Sequence, residues 1–342
     1  MKFTQATAPH WVGADPVTIM MRQVLLALAP ALAISTWFLG VGILINALFA
    51  CLLCWLLEVA ALYIRQRSVM TFAKDGSILV TALLIALTLP PLTPWWVTAS
   101  ACLFAVIFAK HLYGGLGYNV FNPAMVGYAV VLVSFPEQLA NWPNPAETSA
   151  SIALTLDIFL HGRSSLHSMT DALSGATPLD NIKIQLMQMY TINEILAQDS
   201  FSWLAGRGWE WINLAALGGG LWLLAKRVIR WHIPIAMLMT MTLLYSIFYL
   251  FESSTHPPPL IGLFSGGTML AAFFVATDPV SAAASNRGRL IYGSGIGALC
   301  YAIRAWGAYP DGIAFAVLFM NMAVPLIDRY TLPRVHGHQK RP

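Results

Sequence analysis

Long apolar runs, each closed by a few polar residues or a proline, make up most of this chain. A bilayer crossing needs about 20 helical residues. Runs of that order fall at about 20–38, 41–64, 77–91, 95–111, 122–135, 209–225, 232–251, 260–277, 290–306 and 312–328. The expected fold is an all-α polytopic membrane protein with about ten transmembrane helices. Two runs, near 77–91 and 122–135, are short for a crossing, which suits tilted or interrupted helices. Ala31-Leu32-Ala33 resembles a signal-peptidase site. The apolar stretch continues past it and about twenty mixed residues precede it, so a retained first helix is expected.

Composition argues against the soluble alternatives. Of 342 residues, 58% are hydrophobic and 10% charged, with a mean hydropathy of +0.67. Soluble domains carry about 25% charged residues, so this chain lacks the polar surface that water demands. A soluble enzyme, a disordered chain and a nucleic-acid binder are all disfavoured, and the expected surroundings are lipid. The net charge of +4 matters by position. With both termini in the cytoplasm, the outer segments hold only Arg163, Lys183, Arg207 and Arg304 of the 19 cationic residues. Shifting the count by one helix would destroy that bias.

The one long polar stretch, 136–208, then lies outside, with little periodicity before Ile182. A loop of this length usually has a function or is disordered. It separates an N-terminal membrane half, 1–135, from a C-terminal half, 209–342, with five helices each. Similar halves of five helices would be inverted relative to one another. Gly76-Ser77 and Gly267-Thr268 open or lie early in the third and eighth helices, which end at Thr88-Leu89-Pro90 and Thr277-Asp278-Pro279. Ordinary helix punctuation explains the match equally well. As a true inverted repeat, it would place binding sites at interrupted helices near the midplane.

Candidate chemistry is sparse. Asp171-Ala172-Leu173-Ser174-Gly175-Ala176-Thr177-Pro178 lies in the outer loop. Ser174-Gly175 reads as a turn, and Pro178 keeps Thr177 out of a helix interior. The hydroxyl is thus displayed from irregular backbone among small neighbours, suited to covalent modification; on local chemistry alone a plain turn is the simpler reading.

The run Asp-x-x-Ser-Gly-Ala-Thr resembles the flavin-attachment motif of the NqrB/RnfD family, membrane subunits of bacterial ion-translocating redox complexes. Further similar blocks follow in order: Tyr113-Gly114-Gly115, Asn119-Val120-Phe121-Asn122-Pro123-Ala124, Arg230-Trp231-His232-Ile233-Pro234, Thr277-Asp278-Pro279, Asn286-Arg287-Gly288-Arg289 and Pro310-Asp311-Gly312. The resemblance implies FMN joined by a phosphoester to Thr177, with Asp171, Ser174, Gly175 and Ala176 completing the motif. It also implies installation from FAD by a Mg-dependent flavin transferase. The protein's part is to bind, orient and tune the ring. A second, non-covalent flavin, riboflavin, is implied in the helical core, and Asn119, Asn122 and Asp278 are its candidate contacts; capping and turn formation is an equal alternative for them. The implied complex is Rnf-type, with subunits A, B, C, E and G as partners. It couples electron transfer between ferredoxin and NAD to Na⁺ or H⁺ movement across the bacterial inner membrane, with the flavin loop in the periplasm. A quinone-reducing NqrB-type subunit and a secondary transporter are the rivals; the short polar stretch before helix 1 favours the RnfD type.

Other residues read more plainly. Ser265-Gly266-Gly267-Thr268 copies part of the motif but lacks the upstream Asp and downstream Pro, so an N-cap followed by small packing residues is expected. Cys51 and Cys54 lie inside an apolar run and read as small packing residues. Glu58 is expected to reach the cytoplasmic edge rather than act in an ion path, and His111 and His232 to be interfacial. Trp95, Trp96, Trp209 and Trp211 fit interfacial belts. The chain shows no nucleophilic triad, phosphate-binding glycine loop or metal-ligand spacing, so no catalytic or metal residue is expected.

Overall fold

The computed structural model describes residues 16–69, 75–143, 145, 151–162, 174–309 and 311–331. Asp171 of the motif, and Lys74, Glu147, Arg163 and Pro310, lie outside the described residues.

Every apolar run is helical. The first half comprises α1 Pro16–Leu39, α2 Gly42–Ile64, α3 Ser77–Thr88, α4 Trp95–Leu103 and α5 Pro123–Ser134. α4 continues as a π-helical stretch over Phe104–His111. In the segment between the halves lie α6 Pro136–Ala140, β1 Trp142–Pro143, α7 Ile152–His161, β2 Ser174–Gly175, α8 Pro178–Met187 and α9 Ile192–Leu196. The second half has α10 Trp209–Ala225, α11 His232–Phe251, α12 Pro259–Phe264, α13 Thr268–Leu270, α14 Asn286–Trp306 and α15 Ile313–Thr331. α13 also runs on as a π-helix, Ala271–Val275. Among the described residues, four helices are long and apolar enough to cross a membrane by themselves: Val17–Leu39, Gly42–Ile64, His232–Phe251 and Ile313–Thr331. With the shorter apolar helices beside them, they make a polytopic membrane protein.

Two differences from the sequence reading matter. The eighth run is a broken helix: α12 stops at Phe264 and α13 starts at Thr268, with Gly266 left-handed at φ +62°. Unpaired backbone groups are costly away from water. Asn213 of α10 repairs the break by donating to the Phe264 and Gly266 carbonyls at 2.8 and 2.9 Å and accepting from Met269 N–H at 3.3 Å. Ser265 caps the end of α12 rather than opening α13. Secondly, the segment between the halves, with little periodicity before Ile182, holds a helix there. Ser151 caps α7 by accepting from Leu154 N–H, and Phe159 of α7 packs edge-on against Phe49 of α2 at 5.2 Å.

Packing interlocks the halves. α1 lies against α10, and α5 against α15. At the first seam, a Cβ on Gly219 would fall inside the van der Waals shell of the Ala27 carbonyl oxygen, so only glycine allows the approach. The buried core runs through both halves, from Ala27 and Leu28 to Ala316 and Val317.

Candidate functional site

Thr177 is the N-cap of α8, with Pro178 in the first turn where its missing N–H costs nothing. Its Oγ1 accepts from Asp180 N–H at 3.2 Å and donates to Asp180 Oδ2 at 2.6 Å. Upstream, Ser174-Gly175 does not form the expected turn. It pairs antiparallel with Trp142–Pro143, Gly175 opposite Trp142. That pairing ties Ser174-Gly175 to the start of the connecting segment and leaves Ala176 exposed beside Thr177.

Thr177 and Asp180 open onto a cavity of about 220 Å³ between the two halves, walled by Tyr128, Trp142, Trp209 and Asp311 among others. Trp142 and Trp209 meet edge-on at 5.1 Å. Trp209, read as a belt residue, is therefore buried cavity wall, whereas Trp95 and Trp211 are exposed. A mostly apolar, aromatic chamber with a few placed polar groups is what a planar cofactor needs. Burial pushes the Asp180 carboxyl above its ordinary range; the Thr177 hydrogen bonds oppose this and Asp311 adds to it. One turn further along α8, burial lowers the Lys183 ammonium against the pull of Asp180. Lys183 Nζ donates to the Gly307 and Tyr309 carbonyls, the latter at 3.0 Å.

Asn119, Asn122 and Asp278 come together from opposite halves. Asn119 Nδ2 donates to Asp278 Oδ2 at 3.4 Å and to the Phe121 carbonyl at 3.0 Å. Asp278 Oδ2 also accepts from Ser281 Oγ at 2.7 Å. Asn122 caps α5 by accepting from Met125 N–H at 3.2 Å, and its Nδ2 donates to the Val275 carbonyl at 3.1 Å. Met125 and Val275 both line the cavity of Thr177. Asn122 thus holds the wall of that cavity from behind, as a joint between halves.

Two buried charge clusters were not expected. Glu58 is 2% exposed, held among protein partners. Its Oε1 accepts from Lys110 Nζ at 2.9 Å, and Lys110 also donates to Ser77 Oγ at 3.1 Å. His111 is buried too, and its Nε2 lies 2.9 Å from Glu58 Oε2. Arg65 Nη1 lies 3.3 Å from His111 Nδ1. Guanidinium can only donate, so Nδ1 accepts and Nε2 carries the proton toward Glu58. In the second half, Arg304 donates to the Gly262 carbonyl at 2.7 Å, Thr268 Oγ1 at 2.9 Å and Asp311 Oδ1 at 3.0 Å. Asp311 Oδ2 accepts from Gly267 N–H at 3.1 Å. Lys110 and Arg304 are therefore buried against protein partners rather than exposed loop charges. A single cation inside an apolar run was the available signal for each.

Together the fold and these sites define a polytopic membrane protein with a chamber between its halves and a displayed hydroxyl at the chamber's edge. The chain matches the NQR2, RnfD, RnfE family over residues 4–337 and belongs to it. It is 47% identical over 350 residues to the D subunit of the ion-translocating oxidoreductase complex of Aliivibrio salmonicida, covering 99% of this chain and 100% of that one. It is 47% identical over 348 residues to the D subunit of the same complex in Vibrio cholerae, with the same coverage. With the Pseudomonas aeruginosa D subunit the identity is 48% over 342 residues, 99% of this chain and 97% of the other.

Proposed function

We propose that the chain is the flavin-carrying membrane subunit of an Rnf-type electron-transport complex, with FMN esterified to Thr177. The observation that carries this is the placement of the Thr177 hydroxyl at the edge of an aromatic-walled cavity, within a chain similar from end to end to the D subunits of ion-translocating oxidoreductase complexes. When bound, FMN supplies one- and two-electron transfer. The chain's own residues do the rest. Pro178 and the β1–β2 pair fix the attachment point, and Trp142, Trp209 and Tyr128 offer faces for a ring and exclude water. A tethered ring saves the entropy of finding its place.

The same reading gives a second flavin, riboflavin, beside Asn119, Asn122 and Asp278. Its support is adjacency: Asn122 binds the backbone of Met125 and Val275, which wall the Thr177 cavity. Electrons would pass between ferredoxin and NAD by way of neighbouring subunits A, B, C, E and G, coupled to movement of Na⁺ or H⁺. The reading also takes about ten helices across the bacterial inner membrane, cytoplasmic termini and a periplasmic flavin loop loaded by a flavin transferase.

An inverted repeat of five helices has a further support. In each half a buried cation late in one helix donates to the hydroxyl that follows a glycine at the start of another. Lys110 does so to Ser77 after Gly76, and Arg304 to Thr268 after Gly267. With inverted halves, the two clusters sit toward opposite membrane faces.

Intact mass and in-gel flavin fluorescence of the purified chain test the reading. A fluorescent band absent from Thr177→Ala is expected; a wild-type mass equal to the bare polypeptide sinks it. Asn122→Ala or Asp278→Ala with undiminished extractable riboflavin removes the second flavin alone.

A further inference from the structure

Thr177 is not a free hydroxyl. Its proton already lies on a line to a carboxylate, since Oγ1 donates to Asp180 Oδ2 at 2.6 Å. Threonine three residues before an acid at a helix start is a common cap, and α9 provides a comparison within the same chain. There Thr191 and Glu194 form a full capping box: Glu194 Oε2 accepts from both Thr191 N–H, at 2.7 Å, and Thr191 Oγ1, at 2.8 Å, on an exposed surface. At α8 Asp180 likewise receives hydrogen bonds from the Thr177 hydroxyl and backbone, but here both residues face the cavity.

We propose that Asp180 is the general base for flavin attachment, taking the Thr177 proton as that hydroxyl attacks FAD. This rests on the reading of Thr177 as the flavin-bearing residue. In the step, Thr177 Oγ1 forms a bond to the flavin-side phosphorus of FAD while the bond from that phosphorus to the pyrophosphate bridging oxygen breaks. AMP leaves with the bonding pair, and the Oγ1 proton passes to Asp180 Oδ2 and then to water. No electron is gained or lost, and FAD and its transferase are the only co-reactants.

Three features of the surroundings suit the role. The backbone N–H of Asp180 donates to one lone pair of Thr177 Oγ1, which fixes the hydroxyl's orientation and leaves the other lone pair for attack. Partial burial raises the basicity of the carboxylate, and a stronger base takes a hydroxyl proton more readily. The charged and titratable groups around it are Asp311 across the cavity, itself paired with Arg304, Lys183 on the same helix, and Tyr128 of α5. Asp311 works against ionisation of Asp180 and Lys183 works for it.

The test uses the full-length chain in detergent, produced without flavin and then given FAD, Mg²⁺ and a bacterial flavin transferase. Flavin fluorescence in a denaturing gel is followed against time and pH. Asp180→Asn should lower the initial rate by about 100-fold, the order expected for loss of a positioned base. It should also flatten the rise of rate with pH, yet still approach full occupancy on long incubation. Asp180→Glu should restore much of the rate with a moved pH midpoint, and Glu194→Gln should label as wild type. If Asp180→Asn does not fold, Asp180→Glu decides, since an unchanged rate and midpoint would overturn the proposal. Wild-type rate and pH dependence in Asp180→Asn overturn it outright. A wild-type chain that takes no flavin removes the Thr177 reading, and this proposal with it.

Discussion

Lys110 Nζ and Glu58 Oε1 meet at 2.9 Å with both side chains almost wholly hidden, one from the end of the π-helical stretch after α4 and the other from α2. Taking two charges out of water is costly, and the pair is held only because His111 and Ser77 satisfy the remaining valences. Removing one partner leaves the other buried and uncompensated. Lys110→Ala or Glu58→Ala should each lower stability by about 3–5 kcal/mol. Replacing both with apolar residues of similar volume should recover much of the loss. Thermal unfolding in detergent, with size-exclusion profiles, checks this; a double variant worse than the sum of both singles would show that the cluster does more than balance charge.

Thr177 has two separable duties, capping α8 and offering a hydroxyl. Asparagine caps as well as threonine but has no hydroxyl to esterify. Thr177→Asn should therefore keep the unfolding temperature of the flavin-free chain and carry no covalent flavin. Thr177→Ser should keep both properties, and Thr177→Ala should lose the flavin and about 1 kcal/mol of capping. Flavin fluorescence beside a thermal melt separates the two duties; a labelled Asn variant would mean that another residue takes the flavin.

The broken helix after Phe264 depends on Gly266. Its φ of +62° is left-handed, and a Cβ there would sit 2.5 Å from Asp311 Oδ2 and 3.0 Å from Arg304 Nη2. Gly266→Ala should disrupt the Arg304–Asp311 pair as well as strain the backbone, with a cost of about 1–3 kcal/mol from strain alone. Gly218, where a Cβ would meet open space, is the control. Gly218→Ala should be neutral or slightly stabilising in α10, and equal melting temperatures for the two variants would refute the assignment.

Helical periodicity and length made the membrane helices legible, because each apolar run has no other stable fate in lipid. The segment around Thr177 stood out through its small residues and Pro178, and the placement of Thr177 just before a helix interior follows from that proline. What sequence pattern did not carry is long-range pairing. Nothing near Glu58 announces Lys110 and His111 some fifty residues on, and nothing near Trp142 announces Gly175 as its strand partner. The Ser265–Thr268 run was visible, but as a helix opening rather than an interruption, because the repair comes from Asn213 on another helix. α7 was missed because its apolar residues are divided. Phe159 packs against α2, but Ile152, Leu156 and Leu160 point outward, so the segment shows no single buried stripe.

Asp180 and Glu194 stand three residues after a capping threonine in the same segment, yet their charges should move stability in opposite directions with pH. Burial raises the Asp180 carboxyl, so the folded chain binds that proton more tightly than the unfolded chain does. Its contribution is full below the unfolded value of about 3.9 and is lost as pH rises through the raised folded value. Glu194 is the reverse. The Thr191 backbone and hydroxyl hydrogen bonds hold its carboxyl down, so its contribution is present above the unfolded value of about 4.3 and is lost as pH falls through the folded value. Unfolding temperatures of the flavin-free chain should therefore show wild type losing ground to Asp180→Asn as pH rises from about 4 to 8. Against Glu194→Gln, wild type should gain ground as pH rises from acid into the neutral range. Two gaps that moved in the same direction would mean that burial does not distinguish the two threonine–acid pairs, and the case for a special carboxylate beside Thr177 would fail with it.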